Sequence, residues 1–343
     1  MRPSPPVSNT PHDALVKAIL SKPEHAVAAL HAMLPAALCD ALDWTGLRRE
    51  NESYVSVDGG ARHSDLVFAI PLASAPGAPR QDALIYVLLE HQSTPDPLMA
   101  LRLFVYVARL FEERVLRAGL TRVPLIVSIV LSHTERPWVS ALALDDVYDA
   151  PEALLAELGP LVPRLTYQSA DVTPMSDADL EDYVSTGVLQ LMLRLLRDAR
   201  TTTDDVEAYS QAALELLHAA SREDRPAFVS LFEYLVRTKE GGREAVERVI
   251  ALMPSGARED IVSAYDRIQA EAEAKGEARG EARGKAEGKA EGRRLTLAKQ
   301  LKLKFGALSD EVRARLDAAD DAALDLWTER VLVATTIEQL FAD

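Results

Sequence analysis

The sequence predicts an α/β core followed by an all-helical extension and a small helical C-terminal module. Three observations carry that expectation. Short apolar runs rich in β-branched and aromatic residues occur at 66–68, 83–89 and 122–132, bounded by turn formers. Elsewhere, apolar residues recur at helical spacing over longer stretches. Alanine and leucine are abundant while aromatics make up only 6% of the chain, which favours helix outside the strands.

Residues 1–10 are rich in proline and serine and have no apolar stretch, so they predict a disordered tail rather than a targeting segment. Residues 13–30 predict a first helix, with Leu15, Ile19, Val27 and Leu30 on a rough helical period. Asp13 sits in its first turn, where an acid complements the helix dipole. A short second helix is expected over 34–42, before Trp44, with Cys39 as a packed thiol. Residues 53–57 predict a strand that turns at Asp58-Gly59-Gly60 into the run opened by Asp65. Pro76, Gly77 and Pro79 mark the loop to the next strand.

Pro95 and Pro97 introduce a helix over 98–118, expected to bury Leu101, Val105, Ala108, Leu110 and Phe111 against the sheet. Residues 122–132 predict a buried central strand, the last of the core. Beyond 163 the pattern is all-helical, with helices over 177–200, 203–220, 224–239 and 243–253 and with Thr203 and Asp204 as caps.

Glycine then recurs at 276, 280, 284, 288 and 292. Each glycine costs a helix about 1 kcal/mol against alanine, and opposite charges four apart return a few tenths. A charged, partly helical linker over 269–294 is therefore expected. The other reading is a self-associating helix, whose glycine stripe would make the chain a homo-oligomer. Residues 295–343 form the last module, with helices over 309–318 and 322–335. Lys299, Lys302 and Lys304 at its start suit a solvated helix face or a contact to DNA.

Two acids stand where packing alone would not put them. Asp65 opens one apolar run and Glu90 closes another. An ionised carboxylate beside a dry core is costly unless paired, hydrogen-bonded or bound to a cation. If the strand geometry continues, Glu90 and Gln92 point to one side and His91 to the other. Asp65, Glu90 and Gln92 would then converge at one sheet edge. Hard carboxylate oxygens with water and a substrate phosphate suit Mg²⁺, and a metal there lowers the pKa of bound water and stabilises phosphate charge. The same spacing fits two half-exposed acids at strand ends, so residue types alone leave both readings open.

The wider wording adds a resemblance. Ser64-Asp65-Leu66-Val67-Phe68, Leu88-Leu89-Glu90-His91-Gln92-Ser93 and the stretch from Met99 to Tyr106 resemble the Rpn family, the recombination-promoting nucleases or YhgA-like transposases of the PD-(D/E)XK superfamily. Pro11-His12-Asp13 with Lys17, and Leu34-Pro35, are similar to its opening. The resemblance covers residues 11–170 and implies a restriction-endonuclease-like αβββαβ core that cuts DNA with Mg²⁺ or another divalent cation. Asp65 and Glu90 would be the metal-binding acids, with a backbone carbonyl near His91 as a further ligand. Gln92 falls where the superfamily usually has lysine. A glutamine amide is neutral and only hydrogen-bonds, so it would position water or phosphate without offsetting charge.

Superfamily members often add an acid from the first helix, and Asp13 is the candidate. Arg102 and Tyr106, four apart on one helix face, match the family's Arg…Tyr pattern. Arg102 would hold a phosphate and Tyr106 order the site, or the arginine simply packs over the tyrosine. Where the family often shows Tyr-His-Gly, this chain has Ser132-His133-Thr134, and His133 reads as structural.

Net charge is −15, against the basic surface usual for DNA binders. It favours, as an alternative to the nuclease, a catalytically silent scaffold that binds DNA or a protein partner. No base-stacking module supports RNA as substrate, and nothing in the sequence points to an organic cofactor. The longest apolar run, 123–131, is too short to span a bilayer. A single cysteine permits no intrachain disulfide or zinc site, and a cytoplasmic location is expected.

Overall fold

The structure, a computed structural model, describes residues 11–50, 66–73, 82–90, 96–112, 115, 119, 122–134, 137–200 and 205–341. It is mixed α/β and mostly helical, and it divides into two units, residues 1–265 and 266–343.

The first unit is built on a five-stranded sheet in sequence order: β1 (Arg48–Arg49), β2 (Leu66–Pro71), β3 (Asp82–Glu90), β4 (Leu125–Ser132) and β5 (Gln168–Asp171). β1, β2 and β3 pair antiparallel, while β3, β4 and β5 pair parallel. Every residue of β2 is buried, as its uninterrupted apolar sequence requires of a strand covered on both faces. Leu66, Phe68, Ile70, Ile85, Ile129 and Leu131 face the larger core, with Leu15, Val16 and Ile19 of α1 (Pro11–Leu20) and Leu30 of α2 (Pro23–Met33). Val67 and Val130 alternate to the other face and meet α4 (Met99–Phe111). Between α2 and β1 lies the short α3 (Ala36–Asp40), whose Cys39 is buried; burial, seconded by Asp40, pushes its thiol pKa up.

Several expectations are corrected. The helix expected over 13–30 is two helices, because Pro23 starts α2 and forces Lys22 into an extended conformation. On α4 the buried stripe is Met99, Ala100, Leu103, Tyr106, Val107 and Leu110. Of the expected stripe only Leu110 is buried, and Leu101 and Val105 are exposed. A helix apolar over much of its circumference does not by itself say which stripe meets the sheet. The strand expected over 122–132 begins at Leu125, is buried only from Ser128 onward, and is not the last. β5 follows it at 168–171, inside a stretch expected to be wholly helical. The strand expected over 53–57 lies outside the described residues.

After α5 (Glu152–Leu158) and β5, the chain continues as α6 (Asp177–Tyr183), α7 (Gly187–Arg197), α8 (Val206–Ala212), α9 (Leu214–Glu223), α10 (Arg225–Thr238) and α11 (Arg243–Leu252). Asp205, rather than Thr203 or Asp204, caps α8 by accepting from Ala208 N at 2.7 Å. α7 and α10 share the large core with α1 and the sheet. Helix α12 (Ser255–Phe305) contains the whole glycine-spaced stretch. A Cβ added at any of the five glycines would meet nothing within 4 Å.

The second unit has its own core, in which Leu297 and Leu301 pack with Leu316 of α13 (Asp310–Asp317), Leu324, Trp327 and Val331 of α14 (Asp321–Val333), and Leu340 of α15 (Ile337–Leu340). Lys304 is exposed there, as expected of a solvated helix face. Its Nζ donates to the Val331 carbonyl at 2.6 Å, at the end of α14 where orphan carbonyls attract a cation.

Candidate nucleic-acid site at one end of the sheet

The topology concentrates polar residues at one end of the sheet. β2 begins where β3 finishes, since Leu66 pairs with Val87 in antiparallel register. Glu90, the last residue of β3, is the register partner of Ser132, the last of β4, and Ser132 is in turn the partner of Asp171 at the end of β5. Asp65, His91 and Gln92 lie outside the described residues, as neighbours in sequence of these strand ends.

Asp171 is the best-defined acid of this end. Its Oδ1 accepts from Ser132 Oγ at 3.0 Å and from Thr173 N at 3.1 Å, and its Oδ2 accepts from Trp138 N at 2.7 Å. Three donors satisfy the carboxylate, so it clamps the chain leaving β4 to the end of β5. No local pattern marks this role, because Asp171 is one of many acids in its stretch and Gln168–Asp171 lacks an apolar or β-branched run.

His133, directly after β4, is 2% exposed. Its ring lies 4.8 Å from that of His12 at the start of α1. His12 Nδ1 is 2.6 Å from the Tyr234 hydroxyl of α10, and Tyr234 itself is buried. Asp13 stands in the first turn of α1, as expected, and is buried too. The Pro11-His12-Asp13 word flagged this end of α1. Tyr234, 222 residues from His12, carried no signal.

On the α4 face, Arg102 Nη1 donates to Asp96 Oδ2 at 2.8 Å in a half-buried pair. Asp96 Oδ1 also accepts from Leu98 N at the start of the helix. Tyr106 is a core residue beside Met99, Leu103 and Leu110. Nearby, Trp138 Nε1 donates to Tyr167 Oη at 3.0 Å. Burial pushes the Tyr167 pKa up, with Asp96 adding to the rise and the Trp138 hydrogen bond opposing it.

One group among the described residues has the geometry to hold a cation. The ligand atoms of Glu24, His25 and Asp224 lie within 4.8 Å of one another. Lys22 already occupies it: its Nζ donates to both Asp224 oxygens, and His25 Nε2 stands 2.9 Å from Oδ2. Asp224 also caps α10 through Ala227 N. A metal would have to displace an ammonium from a satisfied carboxylate, so the chemistry of this group is that of a structural clamp. A cleft of about 730 Å³ among the extension helices is lined by Asp177, Glu181 and Glu215 around Arg194. Its acids make it a poor groove for a phosphate backbone. No helix of the described residues is long and apolar enough to cross a membrane.

Comparison with known proteins agrees with the strand-end wording. The chain is 28% identical over 272 residues to recombination-promoting nuclease RpnA of Escherichia coli K12, covering 78% of this chain and 86% of that protein. It is 26% identical over 270 residues to recombination-promoting nuclease RpnD of E. coli O157:H7, covering 76% and 95%. It is also 25% identical over 271 residues to the inactive recombination-promoting nuclease-like protein RpnE of E. coli K12, covering 77% and 83%. No solved structure matches the chain. Residues 10–227 match the family described as "Putative transposase, YhgA-like", a span that takes in the sheet, α4 and much of the helical extension, and the chain belongs to that family.

Proposed function

We propose that the protein is a metal-dependent DNA endonuclease that hydrolyses phosphodiester bonds at the sheet end just described, in the service of recombination or transposition. The observation that carries this reading is the register. β2 starts and β3 stops at the same end, and in the sequence Asp65 directly precedes β2 while Glu90 closes β3. The relatives named as nucleases supply the reaction class.

Asp65 and Glu90 offer the hard oxygen donors that suit Mg²⁺ or a similar divalent cation, with the backbone carbonyl near His91 as a third. When bound, such an ion supplies a water of lowered pKa and charge stabilisation at the phosphate. Gln92 holds the attacking water or a phosphate oxygen through its amide. Arg102 reaches a phosphate by sharing its guanidinium with Asp96, and Tyr106 fixes the helix turn that carries it. DNA is the partner on this reading. The compartment is a reducing cytoplasm, as the single cysteine suits, and self-association would run through the glycine stripe of α12.

A second reading is a silent nuclease-fold scaffold that binds DNA or a protein. Glutamine at 92, the net charge of −15 and a relative named inactive favour it.

Plasmid nicking at low salt, with Mg²⁺ or with EDTA, separates the two. The nuclease reading expects cleavage that needs Mg²⁺ and falls on the order of 100-fold or more in Asp65→Ala and in Glu90→Ala, the scale of losing one transition-state contact. No cleavage by folded wild type across divalent metals leaves the scaffold. Equal activity in wild type and variants removes the site assignment.

A further inference from the structure

We propose that the glycine-spaced stretch of α12 pairs antiparallel with the same stretch of a second copy of this chain, centred on residue 283; this rests on the self-association read above and gives it a direction and a register. The charges of the stretch reverse sign halfway along it. In one row of residues four apart, Glu273, Glu277 and Glu281 are followed by Lys285 and Lys289. In the row on the other side of the glycines the order is opposite, with Lys275 and Arg279 first and Glu291 last.

A single helix makes poor use of this pattern. Like charges four apart repel on a helix surface, and within the first row they are alike at 273–277, 277–281 and 285–289. Opposite charges stand four apart in that row only at the reversal, where Lys285 Nζ meets Glu281 Oε1 at 2.5 Å. Five glycines weaken the helix further, and their faces meet nothing within 4 Å. Glu273, Glu277, Lys285 and Lys289 are exposed. The stretch is nevertheless one continuous helix, and a second copy would supply the attraction that one copy lacks.

With about 3.6 residues per turn, each glycine has one charged row on either side of it. When two such faces meet antiparallel, each row lies against the same row of the other copy. A row of one sign would then repel, whereas a row reversed at its middle attracts. With residue 283 opposite residue 283, Glu277 comes to Lys289 of the second copy and Glu281 to its Lys285, each pair occurring twice by two-fold symmetry. Parallel copies would set the two different rows against each other, and rows of uniform sign would serve them as well; the reversal is what antiparallel pairing requires. The glycines between the rows let the backbones approach. Ridges of four-residue spacing make packed helices cross, so the pairs nearest residue 283 carry the contact and the outer charges set its direction.

Analytical ultracentrifugation of the full chain at low salt reads the association, with circular dichroism of each variant beside it. Glu277→Lys with Glu281→Lys and, separately, Lys285→Glu with Lys289→Glu are each expected to weaken self-association about tenfold or more, the scale of several exposed ion pairs turned repulsive. An equimolar mixture of the two variants is expected to regain a dimer of wild-type strength, which a loss of helix in either variant would not allow. Direction is read by oxidative cross-linking of introduced cysteines, Cys39 being buried. Arg283→Cys, at the centre, is expected to cross-link to itself. Gly276→Cys is not, because its two copies would lie about 21 Å apart along the axis, whereas a parallel pair would bring them together.

A wild type that stays monomeric throughout a concentration series sinks the self-association reading and this proposal together. A dimer that both charge variants leave intact, no recovery in their mixture, or cross-linking through Gly276→Cys instead of Arg283→Cys overturns the antiparallel pairing and leaves self-association standing. The nuclease reading is decided by plasmid nicking alone.

Discussion

Asp224 ties three parts of the chain together through one carboxylate. It accepts from Lys22 and Ala227 N and pairs with His25. Burial raises its pKa, but the Lys22 hydrogen bond, the Ala227 amide and His25 outweigh that and hold it below the usual 3.8. A carboxyl lowered in the folded state contributes stability that is fully present above its unfolded pKa and is lost as the pH falls through the native value. Asp224→Ala is therefore expected to cost about 2–4 kcal/mol near neutral pH, from the lost cap and two stranded partners. The difference from wild type should shrink as the pH drops below 3.8. Urea titrations of both proteins between pH 7 and pH 3 check this, and a constant difference would mean that the carboxylate charge is not the source. At this scale the sequence marked Asp65 and Glu90 by their places at the ends of apolar runs. Lys22, His25 and Asp224 gave no such mark, because a clamp between residues about 200 apart has no local pattern.

α4 shows what happens one level up. Apolar residues at 99, 100, 101, 103, 104, 105, 107 and 110 give the helix more than one stripe that could face the sheet. Val67 and Val130 select the stripe through Met99 and Leu103. Leu103→Ala should cost about 2–5 kcal/mol as a core truncation, whereas Leu101→Ala, at 41% exposure, should stay within about 0.5 kcal/mol. Equal losses in chemical denaturation would mean that the helix is turned differently in solution. β5 is a comparable case. Gln168-Ser169-Ala170-Asp171 has no strand propensity to speak of, and it is a strand only because β4 offers it a parallel edge. By contrast β2 and β3 were legible, since buried strands need uninterrupted apolar or β-branched runs whatever surrounds them.

Among the described residues, the core cluster of the second unit shares no residue with the two clusters of the first. Trp327 is central to the second and meets Phe341 edge-to-face at 4.7 Å between ring centres. Trp327→Ala should remove about 3–5 kcal/mol from that core, enough to unfold a unit of this size. Hydrogen exchange is expected to show amides of α13–α15 losing protection while those of β2, β3 and β4 keep theirs. Loss of protection in both would mean that the units fold as one cooperative body.

The sequence by itself determined the strands β2 and β3, the helical character of the extension and the wording that places the chain in its family. These follow from local composition and period, which one stretch of chain expresses alone. Tertiary structure decided which stripe of α4 is buried, that Gln168–Asp171 is a strand, that Asp171 clamps β4 to β5, and that His12 meets both Tyr234 and His133. Each of these depends on partners far apart in sequence, and their free energy appears only once the sheet and the extension have closed on one core.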